Sequence, residues 1–127
     1  MIFGIGTDIA AVSRLGRLHE HHGERALEKI LAPREIVELA AGKEPARFLA
    51  KRFAAKEAFG KALGIGVTAP ALLPNIAVVH DALGKPSFEY APELAAYLAE
   101  RGLVAQLSIS DEQDYAVAFV ISSEEHT

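Results

Sequence analysis

Apolar positions along this chain change their spacing several times, and each change marks an element. Ile2 to Ile9 is a short apolar run containing Gly4 and Gly6, with Asp8 near its end. Its β-branched residues predict a strand, and the glycines allow another backbone to approach it closely. Ser13 is positioned to cap a helix through Leu15, Leu18 and His19 that stops near Gly23. A second short helix is predicted over Glu24 to Leu31, and a third over Arg34 to Ala41, with Pro33 in its first turn and Gly42 after it. Pro45 then opens a long helix that ends at Gly64, a span of about 18 residues. From Gly64 to Asn75 glycine, proline, threonine and short apolar residues predict a loop or irregular strand. Ile76 to His80 and Ser87 to Tyr90, joined by Leu83-Gly84-Lys85-Pro86, read as a hairpin. Pro92 and Glu93 open a helix to Glu100 or Arg101, closed by Gly102. Two further strands, Leu103 to Ser110 and Tyr115 to Ile121, flank a polar turn, and the chain from Ser122 onward is expected to fray.

The last strand is apolar on both sides. Tyr115, Val117, Phe119 and Ile121 share one face, and Ala116, Ala118 and Val120 share the other. Both faces should therefore be covered, either within one chain or by helices on one side and a neighbouring subunit on the other.

The long helix does not segregate its charges. Phe48, Leu49, Phe53, Phe59 and Leu63 define an apolar arc of roughly 140°. Arg52 falls at its centre, Lys56 lies beside Leu49, Glu57 lies just outside it next to Phe53, and Lys61 is one turn beyond. One reading is that the long stems of Arg52 and Lys56 lie over apolar surface with their charges in water. Glu57 and Lys61 form an i,i+4 pair in the favourable order. The other reading is a site that handles a charged substrate.

Composition narrows the setting. The 127 residues suit one domain, spanning 1–127, and contain no cysteine, which removes disulfides and thiolate sites and fits a reducing compartment. No charged segment followed by an apolar run opens the chain, and no apolar run is long enough to cross a membrane. The expected setting is cytoplasmic, with no membrane partner. The net charge of −4, from 13 basic and 17 acidic residues, argues against a general nucleic-acid binder. The bases are uneven, however, and none follows Arg101, so a local positive patch remains compatible with an acidic protein. His19, His21 and His22, with His80 and His126, form no zinc pattern and are read as surface or partly buried residues.

Asp8 changes the weight of the helix charges. A carboxylate at a strand end and another on a helix can together hold a hard cation such as Mg²⁺, provided that water and substrate phosphates supply the remaining oxygens. Nearby lysines can hold phosphates as point charges. There is no Walker motif or dinucleotide glycine fingerprint, and Gly64 with Gly66 is too little for a phosphate loop.

Three segments together resemble one family. They are Ile5-Gly6-Thr7-Asp8-Ile9, Phe48 to Ala58 (Phe-Leu-Ala-Lys-Arg-Phe-Ala-Ala-Lys-Glu-Ala) and Leu107-Ser108-Ile109-Ser110-Asp111-Glu112 followed by Tyr115-Ala116. In order and spacing they resemble the bacterial holo-acyl-carrier-protein synthases, the small phosphopantetheinyl transferases. The resemblance implies an α+β fold with a small antiparallel sheet on a long central helix, assembled as a homotrimer with active sites at subunit interfaces. It implies transfer of the 4'-phosphopantetheine arm of coenzyme A to a serine of apo-acyl carrier protein, releasing adenosine 3',5'-bisphosphate. Asp8 and Glu57 would bind Mg²⁺, and Lys61 would lie by the pyrophosphate, so that Asp8, Glu57 and Lys61 form the catalytic set. Arg52, Lys61, Gly64, Gly66 and Ser110 are the expected contacts to coenzyme A. Arg14, with Arg17 one turn further along the first helix, would dock the acidic carrier. Asp111 stands where many members carry histidine and others aspartate; as an anion it cannot hold a phosphate, and it is read as organising its turn through its own carboxylate.

Rival readings differ in what they require. A module that only binds an acidic protein through Arg14 and Arg17 needs neither Mg²⁺ nor coenzyme A. A purely structural trimer explains the last strand but leaves Asp8, Glu57 and Lys61 without a role. The same chemistry on a peptidyl carrier, or on a carrier domain of a large synthase, differs from the first reading only in its partner.

Overall fold

The computed structural model describes residues 1–125. The elements run β1 (Ile2–Ala11), α1 (Val12–His22), α2 (Glu24–Ile30), α3 (Pro33–Ala41), α4 (Pro45–Leu63), a 3-10 turn at Leu73–Asn75, β2 (Ile76–His80), β3 (Pro86–Tyr90), α5 (Pro92–Arg101), β4 (Leu103–Asp111) and β5 (Tyr115–Glu124). The fold is α+β. An antiparallel sheet of order β1-β5-β4 lies on α4, and β2 pairs with β3 in a separate antiparallel hairpin.

The 19-residue α4 starts at Pro45, where the missing N–H costs no helical bond. It stops at Gly64, whose φ of 80° is the left-handed conformation that glycine adopts without penalty. Its sheet-facing side is built of small residues, including the fully buried Ala54, Ala58 and Ala62. The facing residues on β1 are Gly4 and Gly6. A Cβ on Gly6 would sit 2.0 Å from the Ala58 carbonyl oxygen, and one on Gly4 would sit 2.2 Å from that of Ala62. Strand and helix thus touch backbone to backbone, as the glycine spacing predicts. On the other side of α4, Phe59 stacks against Phe88 (ring centroids 5.1 Å apart) and Tyr90 (5.5 Å), tying the helix to the hairpin.

Two sequence expectations fail at the ends of elements. Ser13 does not cap α1. The helix begins two residues earlier, at Val12 with Ala11 as its N-cap, β1 runs into it directly, and the Val12 N–H donates to the Asp114 carbonyl of the β4–β5 turn (2.9 Å). The chain does not fray from Ser122. That side chain is fully buried and its hydroxyl donates to the Ala62 carbonyl (2.6 Å), while Glu124 N–H bonds to Met1 and Glu125 N–H to Gly102. His126 and Thr127 lie outside the described residues.

Arg52 and Lys56 do not place their charges in water. Lys56 and Glu35 are both fully buried, and Lys56 Nζ donates to Glu35 Oε1 and to the Ile30 carbonyl. Glu35 also accepts from the Ala32 N–H at the start of α3 and from the Val78 N–H of β2, each at 2.9 Å. Arg52, only 5% exposed, places Nε 3.4 Å from Glu35 Oε2 and lies over the Phe48 ring. Burial pulls the Lys56 ammonium down to about 8, with the nearby Glu35 carboxylate opposing that shift.

Cross-strand register puts Ile5, Thr7 and Ile9 of β1 beside Ile121, Phe119 and Val117 of β5 on the face away from α4. Ile5 is 60% exposed, Ile9 61% and Phe119 41%. This chain therefore covers one face of the sheet and leaves an apolar one open, so the covering of both faces within one chain does not hold.

Gly6→Ala should be strongly destabilising, because neither backbone it would push apart can yield. We expect a loss of about 1–3 kcal/mol or more in urea unfolding. Unchanged stability would mean that the strand–helix approach is looser than its geometry indicates.

Candidate active site

Alternation along β1 turns Asp8 toward the α4 side of the sheet, together with Gly6 and Ala10. At the Gly6 contact α4 carries Glu57, just before Ala58, and Lys61, whose stem lies beside Gly6. Lys61 Nζ donates to the Thr7 carbonyl (2.9 Å) and lies 3.3 Å from Asp8 Oδ1. The lysine thus pairs with Asp8 rather than with Glu57, the partner expected from helical spacing. No ion pair joins Glu57 to Lys61 among the described residues.

Glu57 is half-buried, and its carboxyl holds its proton above the usual carboxylate range. Burial is the first cause and the Asp8 charge the second; Lys61 and Arg14 pull the other way without prevailing. Two acids from different elements therefore share one electrostatic neighbourhood with two bases, one on α4 and one on α1. The two-acid set matches a small, hard cation that keeps several waters and takes further oxygens from a substrate. No group of three or more His, Cys, Asp or Glu side chains suited to a metal exists among the described residues, so Asp8 and Glu57 would be its only carboxylate ligands.

The remaining expected site residues divide. Arg14 and Arg17 are exposed on α1 and border a shallow groove of about 270 Å³ with Leu18, His21 and His22; the Arg14 guanidinium lies 5.3 Å from the Phe53 ring centroid. A second groove of about 390 Å³ adjoins it through Leu18 and His22, and it adds Arg25 and Lys29 of α2. Sequence reasoning missed these two cations, although their i,i+4 spacing puts them on one side of a short helix. Gly64 and Gly66 both have positive φ, and the loop folds back so that Ile65 and Gly66 donate to the Gly60 carbonyl. Gly60 itself was missed: a Cβ there would lie 2.6 Å from the Gly66 carbonyl oxygen.

Two expected residues are not gathered with Asp8. Arg52 is held by Glu35 and Glu38 in the buried network. Ser110 pairs in register with Val117 and so points to the open face of the sheet, opposite the face that carries Asp8. Asp111 is not a self-contained turn residue. Arg47 on α4 donates to its carboxylate (3.0 Å) and to the Glu112 and Gln113 carbonyls, and Lys51 lies 3.9 Å away. Arg47 therefore organises that turn, and Asp111 is one of its anchors.

Removing neighbouring charges should move Glu57 in opposite directions. In a carboxyl-carbon NMR titration, Asp8→Asn should lower the Glu57 midpoint and Lys61→Met should raise it further. A midpoint that ignores Asp8→Asn would separate the two acids. The same shift carries a stability cost. A raised folded value favours folding only at low pH, and that contribution is lost as pH rises through it.

The family model described as the 4'-phosphopantetheinyl transferase superfamily matches residues 4–120. A holo-(acyl-carrier-protein) synthase of Dechloromonas aromatica is 60% identical over 121 residues, covering 95% of this chain and 97% of its own length. The crystal structure of the synthase of that name from Neisseria meningitidis superposes with a TM-score of 0.94 at 46% identity, covering 98% of this chain and all of that one. A Bacillus anthracis synthase, solved in complex with CoA (3',5'-ADP), superposes at 0.83 with 31% identity, covering 98% and 99% of the two chains.

Proposed function

The chain belongs to the 4'-phosphopantetheinyl transferase superfamily, and from that premise we propose how its site works. It transfers the 4'-phosphopantetheine arm of coenzyme A to a serine of apo-acyl carrier protein and releases adenosine 3',5'-bisphosphate. The observation that carries the reading is the meeting of Asp8, Glu57 and Lys61 from two elements in one charged corner.

In this reading Asp8 and Glu57 hold Mg²⁺. The bound ion would neutralise the diphosphate of coenzyme A and the charge that develops on the leaving bisphosphate. Lys61 adds fixed positive charge beside the same diphosphate, already oriented by the Thr7 carbonyl. The proton of the attacking serine would pass to a water oriented by Asp8 or Glu57, or to one of these carboxylates directly. Arg14 and Arg17 dock the acidic carrier so that its serine faces this corner, and Gly64 and Gly66 leave open space for coenzyme A beside the α4 exit. Arg52 is anchored in the buried network and also borders a groove of about 220 Å³ with Arg47, Lys51 and His80, where it can still meet coenzyme A. Ser110 lies on the open sheet face. We read that face as the contact of a homotrimer, in which Ser110 serves the site of a neighbouring copy. No helix of the described residues is long and apolar enough to cross a membrane, and the cytoplasm is the compartment that fits a coenzyme A-dependent enzyme without cysteine.

Mixing the protein with Mg²⁺, coenzyme A and an apo-carrier should add the phosphopantetheine mass to the carrier serine. Asp8→Asn and Glu57→Gln should each lower kcat by about 100-fold or more in a folded protein. Full turnover of either variant at ordinary Mg²⁺ would remove that carboxylate from the site. Arg14→Glu should raise the carrier KM and flatten its salt dependence, and unchanged kinetics would move docking elsewhere. For the assembly, light scattering should give three copies for the native chain and a smaller species for Phe119→Asp; a native monomer would refute the trimer.

A further inference from the structure

The groove beside Arg14 and the open sheet face belong to the reading above. The buried acid–base cluster on the far side of α4 does not. Lys56 precedes Glu57 in sequence, yet its ammonium points into the interior and touches neither Asp8 nor Lys61. It joins four elements at one point. Through Lys56 it fixes α4 to the last carbonyl of α2, Ile30, and through Glu35 it reaches the first turn of α3 and the Val78 N–H of β2.

The opposite face of α4 grips less firmly. Its closest contact with β1 is made by Gly4, Gly6, Ala58 and Ala62, which carry no side-chain knobs; the one long side chain there is Lys61, whose stem lies beside Gly6 and whose half-exposed ammonium donates to the Thr7 carbonyl. Such a face fixes the distance between strand and helix far better than it fixes the turn of the helix about its own axis. Rotation matters here because a side chain on the helix surface sits roughly 5–6 Å from the axis, so a turn of about 10° displaces Glu57 by about 1 Å. A site holding a small octahedral cation tolerates roughly half that.

We infer that the buried Glu35–Lys56 pair is a positioning device: it is the buried charged anchor among the contacts that hold the rotation of α4, and it thereby helps to place Glu57 opposite Asp8. Glu35 and Lys56 touch no substrate. Arg52 supports the pair as a second cation at Glu35 Oε2. This rests on the functional reading above, since it assumes that Glu57 must meet Asp8 across a cation.

The test uses the full chain. Glu35→Gln/Lys56→Met removes both charges at nearly constant volume, an exchange that buried ion pairs often survive. The double variant keeps Glu38 as the counter-ion of Arg52 and should unfold cooperatively, at a somewhat lower temperature than the native chain. Its kcat should fall about 100-fold, the size of effect that a displacement near 1 Å produces. Its carrier KM should stay within about twofold, because Arg14 and Arg17 are untouched. Its Mg²⁺ dissociation constant in the presence of coenzyme A, read by calorimetry, should rise about tenfold. Amide exchange over residues 53–61 should quicken.

A folded double variant with native kcat and native Mg²⁺ affinity overturns the inference. So does a lowered kcat with unchanged Mg²⁺ affinity and unchanged exchange, since loss of active molecules alone gives that result. Lys56→Met, which leaves Glu35 with Arg52 and with the Ala32 and Val78 N–H groups, is the second variant if the double does not fold; it should show the same split, and native values would be equally fatal. Absence of transfer by the native chain would sink the functional reading instead, while the exchange measurement would still report on the rotation of α4.

Discussion

The backbone-to-backbone seating of β1 on α4 is the constraint from which the site follows. Asp8 lies two residues after Gly6, and Lys61 lies three after Ala58, the residue whose carbonyl Gly6 meets. Once strand and helix touch at that point, the acid and the base must emerge at the same corner, and Lys61 reaches both the Thr7 carbonyl and Asp8. Any side chain at position 6 would separate the elements and move the corner apart. The glycines are therefore part of the site's geometry, although neither touches the charged groups.

A small-residue contact achieves proximity at the expense of grip. The rest of the fold supplies the grip from α4's other sides: Phe59 against Phe88 and Tyr90, Ser122 on the Ala62 carbonyl, Arg47 on the β4–β5 turn, and Lys56 on Glu35. Each joins α4 to a different element. The helix is held by several unlike contacts around its circumference, which suits an element that must present one side chain accurately.

Much of this was legible in the chain. The Gly4 and Gly6 spacing announced a close approach to β1, and Pro45 with Gly64 bounded α4. Charges on an apolar helix marked Glu57 and Lys61, because unpaired charge in such surroundings has to be explained. What was not legible depended on partners distant in sequence. Glu35 looks like an ordinary acid in the first turn of a helix, and nothing local reveals that it is the counterion of Lys56. Without it, Arg52 and Lys56 read as long stems reaching for water. Ser122 likewise gained its order from pairing with β1 and β4 and from the Ala62 carbonyl, and the role of Ser13 was taken over by the Asp114 carbonyl, all long-range contacts. Ser110 was recognisable as a residue but not as one facing away from Asp8, since that needs the register of three strands.

The two charge systems on α4 obey different rules, and the difference explains which one can react. Glu35, Lys56 and Arg52 are out of water, so their charges have to be balanced by one another. Glu35 accordingly spends both oxygens on protein donors, leaving nothing for a ligand. Asp8, Glu57, Lys61 and Arg14 sit where water and substrate can reach. There the balance is left incomplete: Lys61 is half-exposed and committed to Asp8, and Glu57 keeps its proton more readily than an isolated glutamate would. An acid held in that condition is relieved by an added cation. The interior set fixes the helix, and the surface set retains the unmet electrostatic demand that a metal and a diphosphate can satisfy together.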